Sequence, residues 1–465
     1  MKILLIYPPS DDYYISPEKT INTGAYSPPL GLLYIASALE KNDHEVAIFD
    51  CNVNNMSNEK IKREIRSFDA VGMTLYTSPE SRYHSVNIAK TIKDIDPDMP
   101  LIFGGPHCSI LPDLPFQEHH ADICVRGYGE ITIPQVMDAL EGKRKLSAIP
   151  GIYYKESNEI KKTNRPKEIE NLDNLAFPAR HLVEKNEYGY VLGTKICKGK
   201  TTSFITSRGC PFHCKFCGLN AHVPRYKVRS VSNVIAELDI IIDKGYETIF
   251  FVDDNFLFDK KRIEKIMDHI IKSKADLKIW ITDARADSAD RILYEKMKIA
   301  GVESISFGIE NGNQDVLDYY DKKLKISKIK ETVNLSKEMG FFINASFILG
   351  APIETKQHIE NTIKFAKSLP IDAACFFLLY YPIGSKLREE AIKEGKIKEN
   401  EIYVFSGSKR GFGNLSTLEL KNLALRAEKS FYRNPHLWMR YLHYAFSKKD
   451  FRFIRLGLKS SILKK

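Results

Sequence analysis

Two successive series of short apolar runs alternate with segments of helical spacing along this chain. In the first, runs at residues 3–7, 46–50, 70–75, 101–103 and 122–125 are almost continuously hydrophobic, as strands covered on both faces of a parallel sheet must be. Between them, residues 30–41, 59–67, 81–94 and 130–141 repeat apolar positions three and four apart, which predicts helices. The alternation predicts an α/β domain over residues 1–144, a Rossmann-like (flavodoxin-like) parallel sheet with helices on both faces. Residues 145–200 interrupt it with charged runs and Phe-Pro-Ala-Arg at 177–180, and are expected to form a connector. The second series has strands at 204–207, 248–253, 278–283, 304–309, 343–349 and 374–381, with helical patterns such as 231–244 and 327–339 between them. Six strand–helix repeats predict a partial (β/α)6 barrel of the TIM type over residues 201–390, with its site at the C-terminal mouth of the strands. A small helical, basic region is expected over residues 391–465.

Composition changes this picture little until charge is considered. With 465 residues, 43% of them hydrophobic, the chain can bury two or three real cores. Eight cysteines are too few and too scattered for a disulfide framework, and Cys51, Cys108, Cys124, Cys197 and Cys375 lie mostly in apolar contexts where a buried thiol is expected. The opening segment is broken by Pro8-Pro9 too early for a signal peptide, and no window approaches a membrane span. A reducing, cytoplasmic location is therefore expected. The net charge of +10 is concentrated: residues 431–465 hold nine Lys or Arg against one acid, Asp450, interleaved with eight aromatic residues. That mixture suits peripheral contact with an anionic membrane surface, or an amphiphilic substrate. It suits better still a helical cap whose stripe of Leu437, Tyr441, Leu442 and Ala445 packs on the preceding domain while its charges stay in water. No nucleic-acid recognition module is visible, and nucleic acid is not expected as a partner.

Strand ends are where open α/β sheets bind ligands, so the residues there are the candidates. In the first domain they are turn residues, Pro8-Pro9, Thr77-Ser78-Pro79, Gly104-Gly105-Pro106 and Gly127-Tyr128-Gly129. No Gly-x-Gly-x-x-Gly follows the first strand, which argues against a dinucleotide. In the second domain the first strand runs into Ser-Arg-Gly-Cys-Pro-Phe-His-Cys-Lys-Phe-Cys, which presents Cys210, Cys214 and Cys217 on one loop. Structural zinc takes four ligands in paired arms, and no second arm follows. A 4Fe–4S cubane can be held by three thiolates if its fourth iron is kept for a substrate or cofactor.

The cysteine loop, with Phe216 before its last ligand, resembles the signature of the radical S-adenosylmethionine (SAM) superfamily. The resemblance implies a 4Fe–4S cluster whose open iron chelates SAM and whose electron, drawn from an external flavodoxin- or ferredoxin-type donor, releases a 5′-deoxyadenosyl radical. It also implies roles for the barrel-mouth residues. Asp253 and Asp254, in Asp-Asp-Asn after the second strand, would hold the methionine ammonium group, and Arg285 the carboxylate. Glu310, in Gly-Ile-Glu-Asn-Gly, would accept from the ribose hydroxyls, Gly350 and Glu354 match the adenine-contacting segment, and Lys322 is a further candidate. His213 and Lys215 are expected to face outward, and Tyr380, Tyr381 and Ser385 to reach substrate or line the barrel. For each acid alone, a helix cap or loop role is the competing reading.

The first domain resembles the cobalamin-binding domain that precedes many radical SAM barrels, through Tyr-Pro-Pro at 7–9, Ser-Pro-Pro-Leu-Gly-Leu at 27–32, Gly-Gly-Pro-His at 104–107 and Val-Arg-Gly-Tyr-Gly-Glu at 125–130. Thr74, Ser78, Gly104, Gly105, Pro106 and Glu130 would then meet the corrin or its nucleotide tail. The Asp-x-His-x-x-Gly segment of other cobalamin proteins is absent, so no histidine is expected beneath the cobalt. Together the two domains imply a cobalamin-dependent radical SAM enzyme that methylates an unactivated carbon of a small-molecule or lipid-type substrate. The alternatives are a rearrangement, cyclisation or carbon–carbon coupling without net methyl transfer, methylthiolation of tRNA, and a non-catalytic cobalamin or cluster sensor.

Overall fold

The computed structural model describes residues 1–9, 26–54, 63–76, 79–157, 159–191, 194–223, 225–448, 451, 452 and 454. Ser78 and residues 59–62 of the helix expected at 59–67 lie outside the described residues. Internal contacts divide the chain into two compact units, Met1–Gly193 and Thr194–Lys465.

In the first unit the elements run β1 (Lys2–Tyr7), α1 (Leu30–Glu40), β2 (Glu45–Asp50), β3 (Ala70–Thr74), α2 (Pro79–Ile95), β4 (Leu101–Gly104), α3 (Pro106–Ile110), α4 (Leu114–Glu118), β5 (Ile123–Val125) and α5 (Gly129–Leu140). The strand order β2-β1-β3-β4-β5, all parallel, is the flavodoxin arrangement, and the winding reverses between β1 and β3. Strand β1 shows why its run is unbroken. Ile3 and Leu5 enter the core beneath α1 and α5, whereas Leu4 and Ile6 enter the opposite core, shared with Ala89 and Ile92 of α2. The segment expected as a connector does more than connect. Its β6 (Ile152–Glu156) and β7 (Glu159–Lys162) extend the sheet antiparallel from β5, because Ile152 and Tyr154 alternate into the α1 and α5 core while Tyr153 enters the other. Further along, the Tyr188 hydroxyl donates to buried Asp50 at 3.1 Å, fastening residue 188 to the end of β2.

The second unit is a six-stranded parallel sheet in sequential order: β8 (Thr201–Phe204), β9 (Thr248–Phe251), β10 (Lys278–Arg285), β11 (Val302–Glu310), β12 (Phe342–Leu349) and β13 (Ala373–Leu378). Its covering helices include α6 (Val231–Asp243), α7 (Lys260–Ser273), α8 (Arg291–Ile299), α9 (Gln314–Tyr319), α10 (Ile326–Glu338) and α11 (Lys356–Ser368), followed by α12 (Lys386–Lys393), α13 (Thr417–Tyr432) and α14 (Pro435–Lys448). Ser230, Asp259, Asp290, Thr355, Ser385 and Ser416 each accept an amide hydrogen bond at a helix start, fixing where those helices begin. The first barrel strand differs from its expected span. It ends at Phe204, and Ser207–Arg208 pairs antiparallel with Lys227–Val228 instead. Thr206 and Ser207 leave the strand because both are tied to the carboxylate of Asp253.

Candidate active site

The cysteine loop is built from below upward. Asp253 Oδ1 accepts from the Thr206 amide at 3.1 Å, the Thr206 hydroxyl at 2.6 Å and the Ser207 hydroxyl at 2.6 Å. Arg262 donates to the Thr206 hydroxyl and carbonyl, and Arg229, in a buried pair with Glu237, donates to the Ile205 carbonyl. Burial pushes the Asp253 carboxyl up, and those hydrogen bonds oppose the push. Asp253 is fully buried, so its oxygens are spent on the loop's foundation. Its neighbour Asp254 is exposed and accepts from the Gly209 amide at 2.8 Å, immediately before Cys210. Gly209 has φ +85°, and a Cβ there would lie 2.6 Å from the Arg225 carbonyl oxygen. Only glycine fits that turn.

Aromatic and backbone contacts hold the rest of the loop. The Arg285 guanidinium lies 3.7 Å from the centre of the Phe212 ring and donates to the carbonyl of Lys322 at 2.8 Å. Phe216 meets Tyr320 edge-on at 5.1 Å, and the Lys215 amide donates to the Tyr320 carbonyl. His213 is exposed, whereas Lys215 approaches Glu390 at 3.6 Å. Arg285 is thus placed as a brace between the cysteine loop and the turn after α9.

Cys210, Cys214 and Cys217 are free and half-buried. Burial raises the thiols of Cys214 and Cys217, and neighbouring loop cysteines repel their ionised forms further. A cationic metal centre would reverse that balance. Among the described residues no three Cys, His, Asp or Glu side chains converge on a single metal ion. The donor set fits a cubane instead, because each thiolate there binds a separate iron. Two buried polar atoms nearby in sequence or contact, Asn255 Nδ2 and the Tyr320 hydroxyl, have no hydrogen-bond partner.

Across the barrel mouth, Glu310 ends β11 with φ +68°, where a bulge between Gly308 and Glu310 shifts the register against β12. Its Oε1 accepts from Lys322 Nζ at 2.6 Å, with both side chains buried. Gly308 makes room for this pair: a Cβ there would meet Glu310 Oε1 at 2.5 Å and Lys322 Nζ at 3.1 Å. Asn311 and Glu354 then join the ends of β11 and β12. Glu354 accepts from Asn311 Nδ2 at 2.8 Å and from the amides of Gly350 and Ala351 at 2.6 and 2.7 Å. Gly350 has φ +107°, and the buried Ser406 hydroxyl donates to its carbonyl. Glu354 therefore shapes the Gly350 turn with a carboxylate that is itself buried.

Sequence reasoning missed Asp283 and Ser406. Asp283 stands exposed at the end of β10, yet desolvation and the charges of Asp254 and Glu310 hold its carboxyl up at about 6, against a Thr282 hydrogen bond and Lys322. The signal was present, since Asp283 is two residues before Arg285 at a strand end. Ser406 gave none: it reaches the mouth only because residues 404–406 return to pair with residues 379–381. Of the residues considered for substrate, Tyr381 is buried against Phe412 and Ser385 caps α12, so both serve the scaffold.

At the carboxyl edge of the first sheet, Thr74, Gly104, Gly105 and Pro106 come together where β3 and β4 end. Gly105 has φ +98°, and a Cβ would lie 2.7 Å from Thr74 Oγ1 and 2.9 Å from the Leu75 carbonyl oxygen. At Gly104 the nearest atom to a Cβ is the Val125 carbonyl oxygen at 4.0 Å, so that position is not crowded. Tyr7 and Tyr76 pack edge-on at 5.9 Å beside this edge, at the point where the winding reverses. Glu130 is placed differently: it lines a depression of about 350 Å³ bounded by α1 and residues 168–176, whose lining includes none of Thr74, Gly104 and Gly105. His107, after Pro106, is buried with neither ring nitrogen hydrogen-bonded, and burial lowers its pKa to about 4.

A flavodoxin-ordered sheet with glycines at its crevice, followed in one chain by a six-stranded barrel with three thiols at its mouth, is the arrangement expected from the resemblance to a cobalamin-binding domain joined to a radical SAM barrel. The comparisons agree. Residues 204–366 match the model of the radical SAM superfamily, and residues 20–137 match that of the B12 binding domain. The uncharacterized methyltransferase PH0819 of Pyrococcus horikoshii is 32% identical over 458 residues, covering 96% of each chain. An anaerobic magnesium-protoporphyrin IX monomethyl ester cyclase of Rubrivivax gelatinosus is 26% identical over 454 residues, covering 94% of this chain and 79% of that one. The cobalamin-dependent SAM radical enzyme OxsB, solved with aqua-cobalamin and SAM, shares the fold at 17% identity, with a TM-score of 0.69 over 98% of this chain and 74% of its own. The chain belongs to the cobalamin-dependent radical SAM enzymes, and its cofactors are a 4Fe–4S cluster, SAM and cobalamin. Being an enzyme, it is not the sensor considered above.

Proposed function

We propose that this enzyme transfers a methyl group to an unactivated carbon of a small-molecule or lipid-type substrate. When bound, the cluster and SAM supply the radical that activates the carbon, and cobalamin carries the methyl group. The chain's own residues do the placing. Cys210, Cys214 and Cys217 hold the cluster. Asp254, Asp283 and Glu310 form a carboxylate wall suited to the ammonium and ribose of SAM, with Lys322 fixing Glu310. Arg285 braces the loop, Asp253 anchors its base, and Gly350, shaped by Glu354, brings backbone to the adenine. Thr74, Gly104, Gly105 and Pro106 form the corrin floor.

The observation that carries this reading is the pairing of a glycine-floored crevice and a three-thiol barrel mouth in one chain. Anaerobically reconstituted protein should release 5′-deoxyadenosine and S-adenosylhomocysteine, the latter only with cobalamin present. Release of 5′-deoxyadenosine alone would refute methyl transfer and favour cyclisation, the reaction that the name of the Rubrivivax relative describes. Iron of about four per chain fits one cluster, and about eight would favour methylthiolation. Against the latter, Cys108 and Cys124 are fully buried in an apolar core of the first unit. An external one-electron donor of flavodoxin or ferredoxin type, and peripheral membrane contact through the basic C-terminal region, complete the proposal. Among the described residues no helix is long and apolar enough to cross a membrane.

A further inference from the structure

Helix α14 has two apolar faces, and among the described residues only one is covered. Leu437, Tyr441 and Ala445 are buried against the barrel, where the Tyr441 hydroxyl donates to the Asp372 carbonyl and Arg440 donates to that of Ile371. In a helix that merely caps a domain, the opposite face should be polar. Here it carries Pro435, Met439, Leu442 and Phe446, spaced four, three and four residues apart. Met439 is 55%, Leu442 46% and Phe446 70% exposed. Leu442, expected on the packed stripe, therefore stands on the open one. Phe451, 55% exposed, lies edge-on to Phe446 at 6.0 Å and lengthens the apolar strip.

The strip starts in a basic depression. Pro435 is one wall of a recess of about 580 Å³ between α11, α13 and α14, whose charged lining residues are Lys367, Arg426, Lys429 and Arg433. No carboxylate lines it, although Arg426 is partly neutralised by Glu360 outside it. Beyond the strip, residues 448–465 add seven Lys or Arg and one acid in sequence. An apolar strip with a basic recess at one end, continued by a basic segment in the sequence, matches a bilayer interface, where aromatic and aliphatic side chains enter the acyl boundary while Lys and Arg meet anionic headgroups.

We infer that the exposed face of α14, with the Lys429–Arg433 rim, is a docking surface for an anionic lipid bilayer. This deepens the membrane contact proposed above by naming the surface, and it does not depend on which reaction the barrel performs. The test is flotation of the full-length, cluster-loaded protein with vesicles of phosphatidylcholine alone or of equimolar phosphatidylglycerol and phosphatidylcholine. Wild type should float with the anionic vesicles, less so as salt rises, and not with the neutral ones. L442S/F446S and K429E/R433E should each weaken binding by about tenfold or more. Both variants should cleave SAM as wild type does, so a failed methyl-transfer assay and a failed flotation assay are separate results. Absence of flotation, or flotation unaltered in either variant, would overturn the assignment. So would a concentration-dependent dimer abolished by L442S/F446S, which would give the face to a second copy of the chain.

Discussion

Removing one member of the Glu310–Lys322 pair is the sharpest test of how the barrel mouth is built. The side chains lie 2.6 Å apart and are 8% and 9% exposed, so water cannot replace a lost partner. Burial alone would push the Lys322 ammonium toward neutrality, but attraction to Glu310 and Cys214 outweighs it and leaves the pKa raised. Lys322→Met therefore strands a carboxylate in a dry site, at a cost of about 3–5 kcal/mol. In a unit of this size each kcal/mol moves the unfolding midpoint by about 2–4 °C, so K322M should melt roughly 6–20 °C lower. Replacing both partners, as in E310L/K322M, should restore most of that loss, since apolar replacements of a buried pair are often neutral. Scanning calorimetry on anaerobically purified protein reads the stability, and equilibrium dialysis of SAM reads the site. The double variant should recover its midpoint without recovering SAM affinity, because the carboxylate proposed to accept from the ribose is gone. A K322M midpoint equal to wild type would refute a buried pair, and a double variant as unstable as the single would assign the loss to packing.

Two further outcomes follow from the same geometry. Gly209→Ala places a methyl 2.6 Å from the Arg225 carbonyl oxygen in a left-handed turn, so it should cost about 1–3 kcal/mol and reduce cluster loading, measured as iron and sulfide per chain, while Gly245→Ala, a left-handed turn with open space around it, should cost less and leave loading intact. Asp283 titrates near 6 when folded against an ordinary value of 3.8, so the folded state holds its proton more tightly. Its contribution to stability is therefore greatest at low pH and falls as pH rises through about 6, and Asp283→Asn should flatten that part of the melting-temperature profile of the SAM-free protein.

The cysteine loop was legible because three thiols on one short segment need no tertiary contact to be brought together. The strand series was legible for a similar reason, since burial on both faces leaves unbroken apolar runs such as residues 3–7. Individual side chains were less so. Asp253 and Asp254 are adjacent and chemically identical, yet the loop after β9 turns one inward to Thr206 and Ser207 and leaves the other exposed. Strands β6 and β7 were hidden because their charged residues resemble a linker until β5 supplies an edge to pair with.

By itself, then, the sequence determined the two-domain plan, the order of the strands' chemistry and the three thiols, all of which depend on local spacing and on which residues must leave water. Tertiary structure alone decided which acid faces the site, that Glu354 and Ser406 converge on Gly350, and that Leu442 points away from the barrel it was expected to cover. Those outcomes depend on which groups, distant along the chain, compete for the same buried hydrogen bond or the same apolar surface, and that competition exists only once the chain is folded.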